Sequence, residues 1–112
     1  MRESNRQQAD DIAAKLHRVG YGMLPVTGRD PVLVTFTAAE VEIMADMEHA
    51  RFMAERHLAG WVYDPQIDKA HKRSPYLVPY AELSEDVKEW DREAVRAIPQ
   101  VLALAKFEVH RL

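Results

Sequence analysis

Asp46-Met47-Glu48-His49-Ala50-Arg51-Phe52-Met53-Ala54-Glu55-Arg56-His57-Leu58-Ala59-Gly60-Trp61 decides how this chain is read. The run holds no breaker before Gly60, and Thr37-Ala38-Ala39-Glu40 ahead of it is a capping box. A helix is therefore predicted from this box to about Ala59, with Gly60 as its stop. Val41, Met44, Ala45, Glu48 and Phe52 fall at i, i+3, i+4, i+7 and i+11. One stripe of the helix is thus apolar except for a carboxylate.

A carboxylate on an apolar stripe must pair or lose its charge. Arg51 can reach Glu48 along the helix, and Arg92 or Lys88 of a later helix across the core. The structural reading is an ion pair that fixes helix packing. The functional reading is that Glu48 positions a cation for an anionic ligand.

Downstream, Lys69-Ala70-His71-Lys72-Arg73 sets four potentially cationic side chains within five residues of an acidic protein. Trp61, Tyr63, Tyr76 and Tyr80 surround this loop in sequence. Rings stack on bases and cations hold phosphates, so the mixture suits a nucleotide-like ligand. The plainer alternative is a solvated loop whose flanking rings cover the core. Trp61 and Trp90 are expected as partial core anchors.

The segment from Trp61 to about Pro75 reads as a loop, and Tyr76 to Leu83 as extended, because Pro75 and Pro79 oppose helix. Ser84 caps the last long helix, and Glu85 and Asp86 suit its first turn. Val87, Trp90, Ala94, Val95, Ile98, Val101, Leu102 and Ala105 give its stripe. Pro99 is expected to kink or split it near Ala97. Phe107 to Leu112 alternates as a short strand does.

Upstream, a helix is predicted from Asn5 to about Val19, capped by Ser4 and ended by Gly20. Ala9, Ile12, Ala13, Leu16 and Val19 make its apolar face. Residues 21–36 read as irregular or extended, with Val32-Leu33-Val34 either a short strand or a cover for the core. Asn5-Arg6, Ile12, Leu16 and Tyr21 match Asp91-Arg92, Ile98, Leu102 and Phe107 at a constant offset. That echo reads equally as a duplication or as two amphipathic helices on a shared core.

The 112 residues suit a single domain spanning 1–112. Hydrophobic content of 47% is that of a globular protein, and the net charge of −3 argues against a nucleic acid polymer as partner. Without cysteine, disulfides and thiolate metal sites are excluded. No apolar run suits a bilayer and the N-terminus is polar, so no membrane role and a cytoplasmic address are expected. The chain reads equally well as part of a longer protein. His49 and His57 lie two turns apart and H-E-x-x-H is absent, so neither metal nor cofactor is expected. Ser4, Ser74 and Ser84 lie in cap or loop contexts without a nucleophile elbow, and no enzyme is expected.

Several motifs together resemble the ryanodine-receptor repeat (RyR) domain, in its bacterial and phage single-domain branch. They are Met47-Glu48-His49-Ala50-Arg51-Phe52, Gly60-Trp61-Val62-Tyr63, Leu77-Val78-Pro79-Tyr80-Ala81-Glu82-Leu83 and Lys88-Glu89-Trp90-Asp91-Arg92. Phe52 stands where tryptophan is more usual, and Asp64 where a glycine often follows the tyrosine. The resemblance implies a compact helical module with a few short strands, found beside signalling and defence modules and suited to sensing nucleotide-derived messengers.

The resulting expectation is a mainly α domain with a three-helix core and short strands or extended segments. Its function is expected to be non-enzymatic binding of a small phosphorylated, nucleotide-derived ligand. Lys72 and Arg73 would meet phosphate oxygens, and Trp61, Tyr63 or Tyr80 would stack on a base. Arg51 and Arg92, oriented by Glu48, would complete the anion site. The rival expectation is a protein-interaction or oligomerisation module that uses the same rings, with a homo-oligomer as one form.

Overall fold

The structure, a computed structural model, describes the backbone of residues 3–112 and the side chains of residues 9–112. Helix α1 (Glu3–Arg18) leads into strand β1 (Tyr21–Pro25) and helix α2 (Ala38–Leu58). Strands β2 (Val62–Tyr63) and β3 (Arg73–Ser74) precede a 3-10 turn at Tyr80–Glu82. Helices α3 (Glu85–Arg96) and α4 (Ile98–Leu104) and strand β4 (Phe107–Arg111) complete the chain. The fold is mainly α, as its apolar periodicities require.

Local chemistry sets most of these boundaries. Thr37 accepts from the Glu40 N–H and the Glu40 carboxylate accepts from the Thr37 N–H, so the capping box at α2 is complete. Gly60 takes the left-handed conformation that ends α2 (φ +92°). Ser84 accepts from the Val87 N–H at the start of α3. Pro99, which has no N–H to donate, sits in the first turn of α4, and the long C-terminal stripe is accordingly split at Ala97.

Leu16, Met44 and Val95 are fully buried, one from each of α1, α2 and α3. Around them pack Tyr21, Phe36, Val41, Ile98, Leu102 and Val109. Each such side chain contributes roughly 1.5–3 kcal/mol by leaving water. β1 and β4 pair antiparallel, from Tyr21 opposite Arg111 to Pro25 opposite Phe107, and lie against this core. Each end of the chain thus builds a helix, a turn and a strand, and the two strands meet.

Residues 21–25, expected as irregular or extended, are extended and form a full strand because β4 supplies backbone partners for them. Other local expectations are corrected. Ser4 lies inside α1, not at its N-cap. The loop after Trp61 contains β2 and β3, which pair in parallel, Val62 with Arg73 and Tyr63 with Ser74. The segment from Tyr76 closes in the 3-10 turn, where the Leu83 N–H donates to the Tyr80 carbonyl.

Val32 and Leu33 form neither a strand nor a core cover; both are exposed, and only Val34 of that run packs on the core. Glu108 on β4 holds this segment instead. Its carboxylate accepts two bonds from Arg29, at 2.7 and 3.0 Å, and one from the Val32 N–H at 2.7 Å.

Candidate ligand-binding site

His49, Phe52 and Arg56 stand at i, i+3 and i+7 on α2, so they share one face of the helix. The turn at Gly60 then carries Trp61 back toward that face. Tyr76, Ser74, Lys69 and Ile67 arrive from the following loop, and Val87, Trp90 and Asp91 from α3. Together they line a recess of about 270 Å³. That is just under the usual range for small-molecule sites, ~300–1,000 Å³.

One wall of the recess is a continuous stack. The His49 ring lies 5.7 Å from that of Phe52 at an interplanar angle of 24°. The Arg56 guanidinium sits 5.1 Å from the Phe52 centroid and 5.2 Å from that of Trp61. A cation over two rings is attracted to both. Tyr76 and Trp90 meet edge to face, with centroids 5.4 Å apart. Phe52, Arg56, Trp61, Tyr76 and Trp90 all line the recess, with Lys69 as a second cation.

The polar groups are few and defined. His49 is 3% exposed, and its Nε2 lies 2.7 Å from the Val78 carbonyl, which can only accept; Nε2 therefore carries the hydrogen. His49 Nδ1 stands 3.5 Å from Asp91 Oδ2. Burial pushes the Asp91 carboxyl above its usual range; His49 and Arg51 pull it down, and Glu48 adds to the rise. Ser74 Oγ accepts from the Tyr76 N–H at 3.2 Å, which leaves its own O–H to donate.

Of the expected ligand contacts Glu48, Arg51, Trp61, Tyr63, Lys72, Arg73, Tyr80 and Arg92, Trp61 alone lines the recess. Glu48 instead anchors an ion-pair cluster between α1 and α2. Lys15 Nζ meets its Oε2 at 2.9 Å, and Arg51 donates to both of its oxygens. Lys15, not Arg92 or Lys88, is thus the partner from another helix. Burial pushes the Glu48 carboxyl up, but the bonds from Arg51 and Lys15 outweigh it and hold it below its usual range. Arg51 also donates to Glu55 at 2.9 Å and faces Asp11 at 3.8 Å, so its charge is matched by carboxylates.

Arg92 belongs to a second cluster. Glu42 accepts from its Nε at 2.6 Å and from its Nη2 at 2.9 Å, and Glu85 lies 2.9 Å away. Tyr80 donates to the same Glu42, and burial, reinforced by that carboxylate, pushes its phenol up to about 12. A wider hollow of about 580 Å³ adjoins Arg92, between Phe36, Val41, Glu42 and Arg96. Lys72 donates to the Ala59 carbonyl at 2.8 Å and so closes the C-terminus of α2. Tyr63 and Arg73 are exposed beside the loop.

Trp61 and Trp90 are walls of the recess and not members of the core; Trp90 is 58% exposed. Sequence reasoning placed Lys69 and Tyr76 in the ring-and-cation mixture without choosing them as ligand contacts, weighed His49 only as a metal ligand, and gave Arg56 and Asp91 no binding role. A signal for them existed in two helical triplets, His49-Phe52-Arg56 and Val87-Trp90-Asp91. Each mixes a ring with a charge on one face, where a core stripe carries no charge.

Among the described residues, no group of His, Asp and Glu is arranged to hold a metal ion, and no helix is long and apolar enough to cross a membrane. A family model described as RyR domain matches residues 24–111, a span that includes α2, the loop, α3 and therefore every wall of the recess. The chain belongs to the RyR domain family.

Proposed function

We propose that this protein is a non-enzymatic binding module whose recess takes a small, phosphorylated, nucleotide-derived ligand. The observation that carries this reading is the composition of one hollow in an acidic protein: Phe52, Trp61, Tyr76 and Trp90 as ring surfaces, with Arg56 and Lys69 as cations. A base would stack against the rings, worth ~1–3 kcal/mol per base. The phosphate would meet Arg56 and Lys69, which replace Lys72, Arg73, Arg51 and Arg92 in that role. The volume favours one mononucleotide over a larger linked dinucleotide. Such a module would act in signalling or defence in the cytoplasm, by reporting occupancy and not by chemistry.

Calorimetric titration of the whole chain against linear and cyclic mononucleotides tests this. Saturable binding that is weakened in Trp61→Ala and lost in the double variant R56A/K69A is expected. Absence of binding at millimolar ligand, with the protein folded by circular dichroism, overturns it.

A second reading rests on a separate observation. Leu58, Val62, Tyr63 and Ile67 are all exposed on the segment that leads around the recess. A protein partner or a second copy docking there would cover them. Light scattering on the ligand-free protein separates the two readings: a concentration-dependent dimer that Leu58→Ser and Ile67→Ser abolish supports the second.

A further inference from the structure

The proposed binding leaves open which base the recess would choose, and Asp91 bears on that choice. Its side chain is 17% exposed and lines the recess. Among the described residues its carboxylate accepts no hydrogen bond; His49 Nδ1 stands 3.5 Å away, too long for one. A half-buried carboxylate without donors is costly, and groups that supply two donors would relieve it. The His49 ring cannot turn to serve, because its Nε2–H is committed to the Val78 carbonyl.

We propose that Asp91 sets the base preference of the recess, selecting guanine by pairing its two carboxylate oxygens with the adjacent N1–H and N2–H groups of that base. This rests on the reading of the recess as a nucleotide site. The argument is one of matching edges. A carboxylate offers two acceptors side by side, the pattern that makes arginine its bidentate partner. Guanine alone among the common bases offers two adjacent donors on its pairing edge. Adenine and cytosine each set an acceptor nitrogen beside their amino group, which would face a carboxylate oxygen lone pair to lone pair. Uracil offers a single N–H between two carbonyl oxygens.

The rest of the lining fits the third group on the guanine edge. O6 is an acceptor, and the recess carries the free O–H of Ser74 as a donor. Asp91 follows Trp90 directly on α3, so ring and carboxylate are presented by one rigid element.

The experiment is calorimetry of the whole chain with GMP, IMP, AMP, CMP and UMP, repeated on Asp91→Asn and on a Trp90→Ala control. GMP is expected to bind roughly ten- to a hundredfold tighter than AMP, from the worth of one bidentate pair. IMP, which keeps N1–H and lacks the amino group, should fall between them. Asn presents a donor beside an acceptor, the pattern that adenine matches, so Asp91→Asn should weaken GMP and strengthen AMP until the order reverses. Loss of a wall in Trp90→Ala should weaken all five without reordering them.

If AMP binds wild type as tightly as GMP, or if Asp91→Asn weakens both equally, the base assignment fails while the nucleotide site stands. If none of the five binds a folded protein, both proposals fall. A melting curve for each variant separates loss of fold from loss of preference.

Discussion

Arg51 and Arg56 lie on the same helix and meet opposite surroundings. Arg51 is ringed by Glu48, Glu55 and Asp11; Arg56 lies between the faces of Phe52 and Trp61. The first is charge satisfied by charge, and an incoming anion would have to compete with three carboxylates for it. Among the described residues the second gives its hydrogen-bond donors to no carboxylate, and two rings hold it. The α1–α2 cluster therefore reads as a fastening and the recess as the proposed receptor. Counting cations could not have separated them, because what differs is the partner each has already found.

Breaking the fastening should have the largest effect. Glu48→Ala leaves Lys15, only 5% exposed, without its carboxylate. A loss of about 3 kcal/mol is expected, the lower end for a broken buried pair because Glu48 keeps some solvent contact. Urea denaturation reads this directly. The double variant K15M/E48M should recover most of it, since removing both charges also removes their desolvation cost. Full destabilisation in the double variant would mean that the cluster does more than fasten.

Breaking the receptor should leave the fold alone. Trp61→Ala is expected to weaken nucleotide binding by ~1–3 kcal/mol, with the urea midpoint close to that of the wild type. If stability falls as far as in Glu48→Ala, the distinction between the two regions collapses.

The acids of the two regions sharpen the contrast further, because their shifts have opposite signs. Glu48 is held below its usual range in the fold, so its contribution is present above the ordinary glutamate value, ~4.3, and is lost as pH falls through its folded value. Asp91 is raised by burial, so its ionised form opposes folding, and this penalty appears as pH climbs through its folded value. Asp91→Asn should therefore raise the melting temperature at neutral pH, and the gain should vanish in acid. Glu48→Gln should lower it at neutral pH, with the deficit shrinking in acid. Melting temperatures from pH 3 to pH 8 check both.

The smallest expected effect calibrates the others at a site remote from both regions. Lys106 takes a left-handed conformation (φ +64°) just after α4, a position that favours glycine. Lys106→Gly should gain up to about 1 kcal/mol in urea denaturation, because it removes the clash that a Cβ suffers there.

Helix ends were legible in the sequence wherever a local interaction makes them. The capping box at Thr37, the Ser84 cap, the Gly60 stop and the split at Pro99 all involve residues close in the chain. The extended pairing of 21–25 with 107–111 was legible at one end only, because Tyr21-Gly22-Met23-Leu24-Pro25 lacks alternation and depends on β4 for its bonds. The site was harder still. Glu48 was rightly singled out as an anomaly, but its partner Lys15 sits on a helix 33 positions away and has no local signature. The triplet His49-Phe52-Arg56 shares its helix with the stripe Val41-Met44-Ala45, and a single-helix pattern cannot say which face meets water. The general position between middle helix, basic loop and last helix was readable; which side chains turn inward was not.

His49 hangs from the Val78 carbonyl, Arg56 rests between two rings, and Tyr76 leans on Trp90. These parts are braced by the protein's own contacts. Ordering a loose side chain on association costs ~0.5–1.5 kcal/mol, and here several such charges are already settled by folding. An occupant would find a preset mould, with most of its contact energy left to appear as affinity.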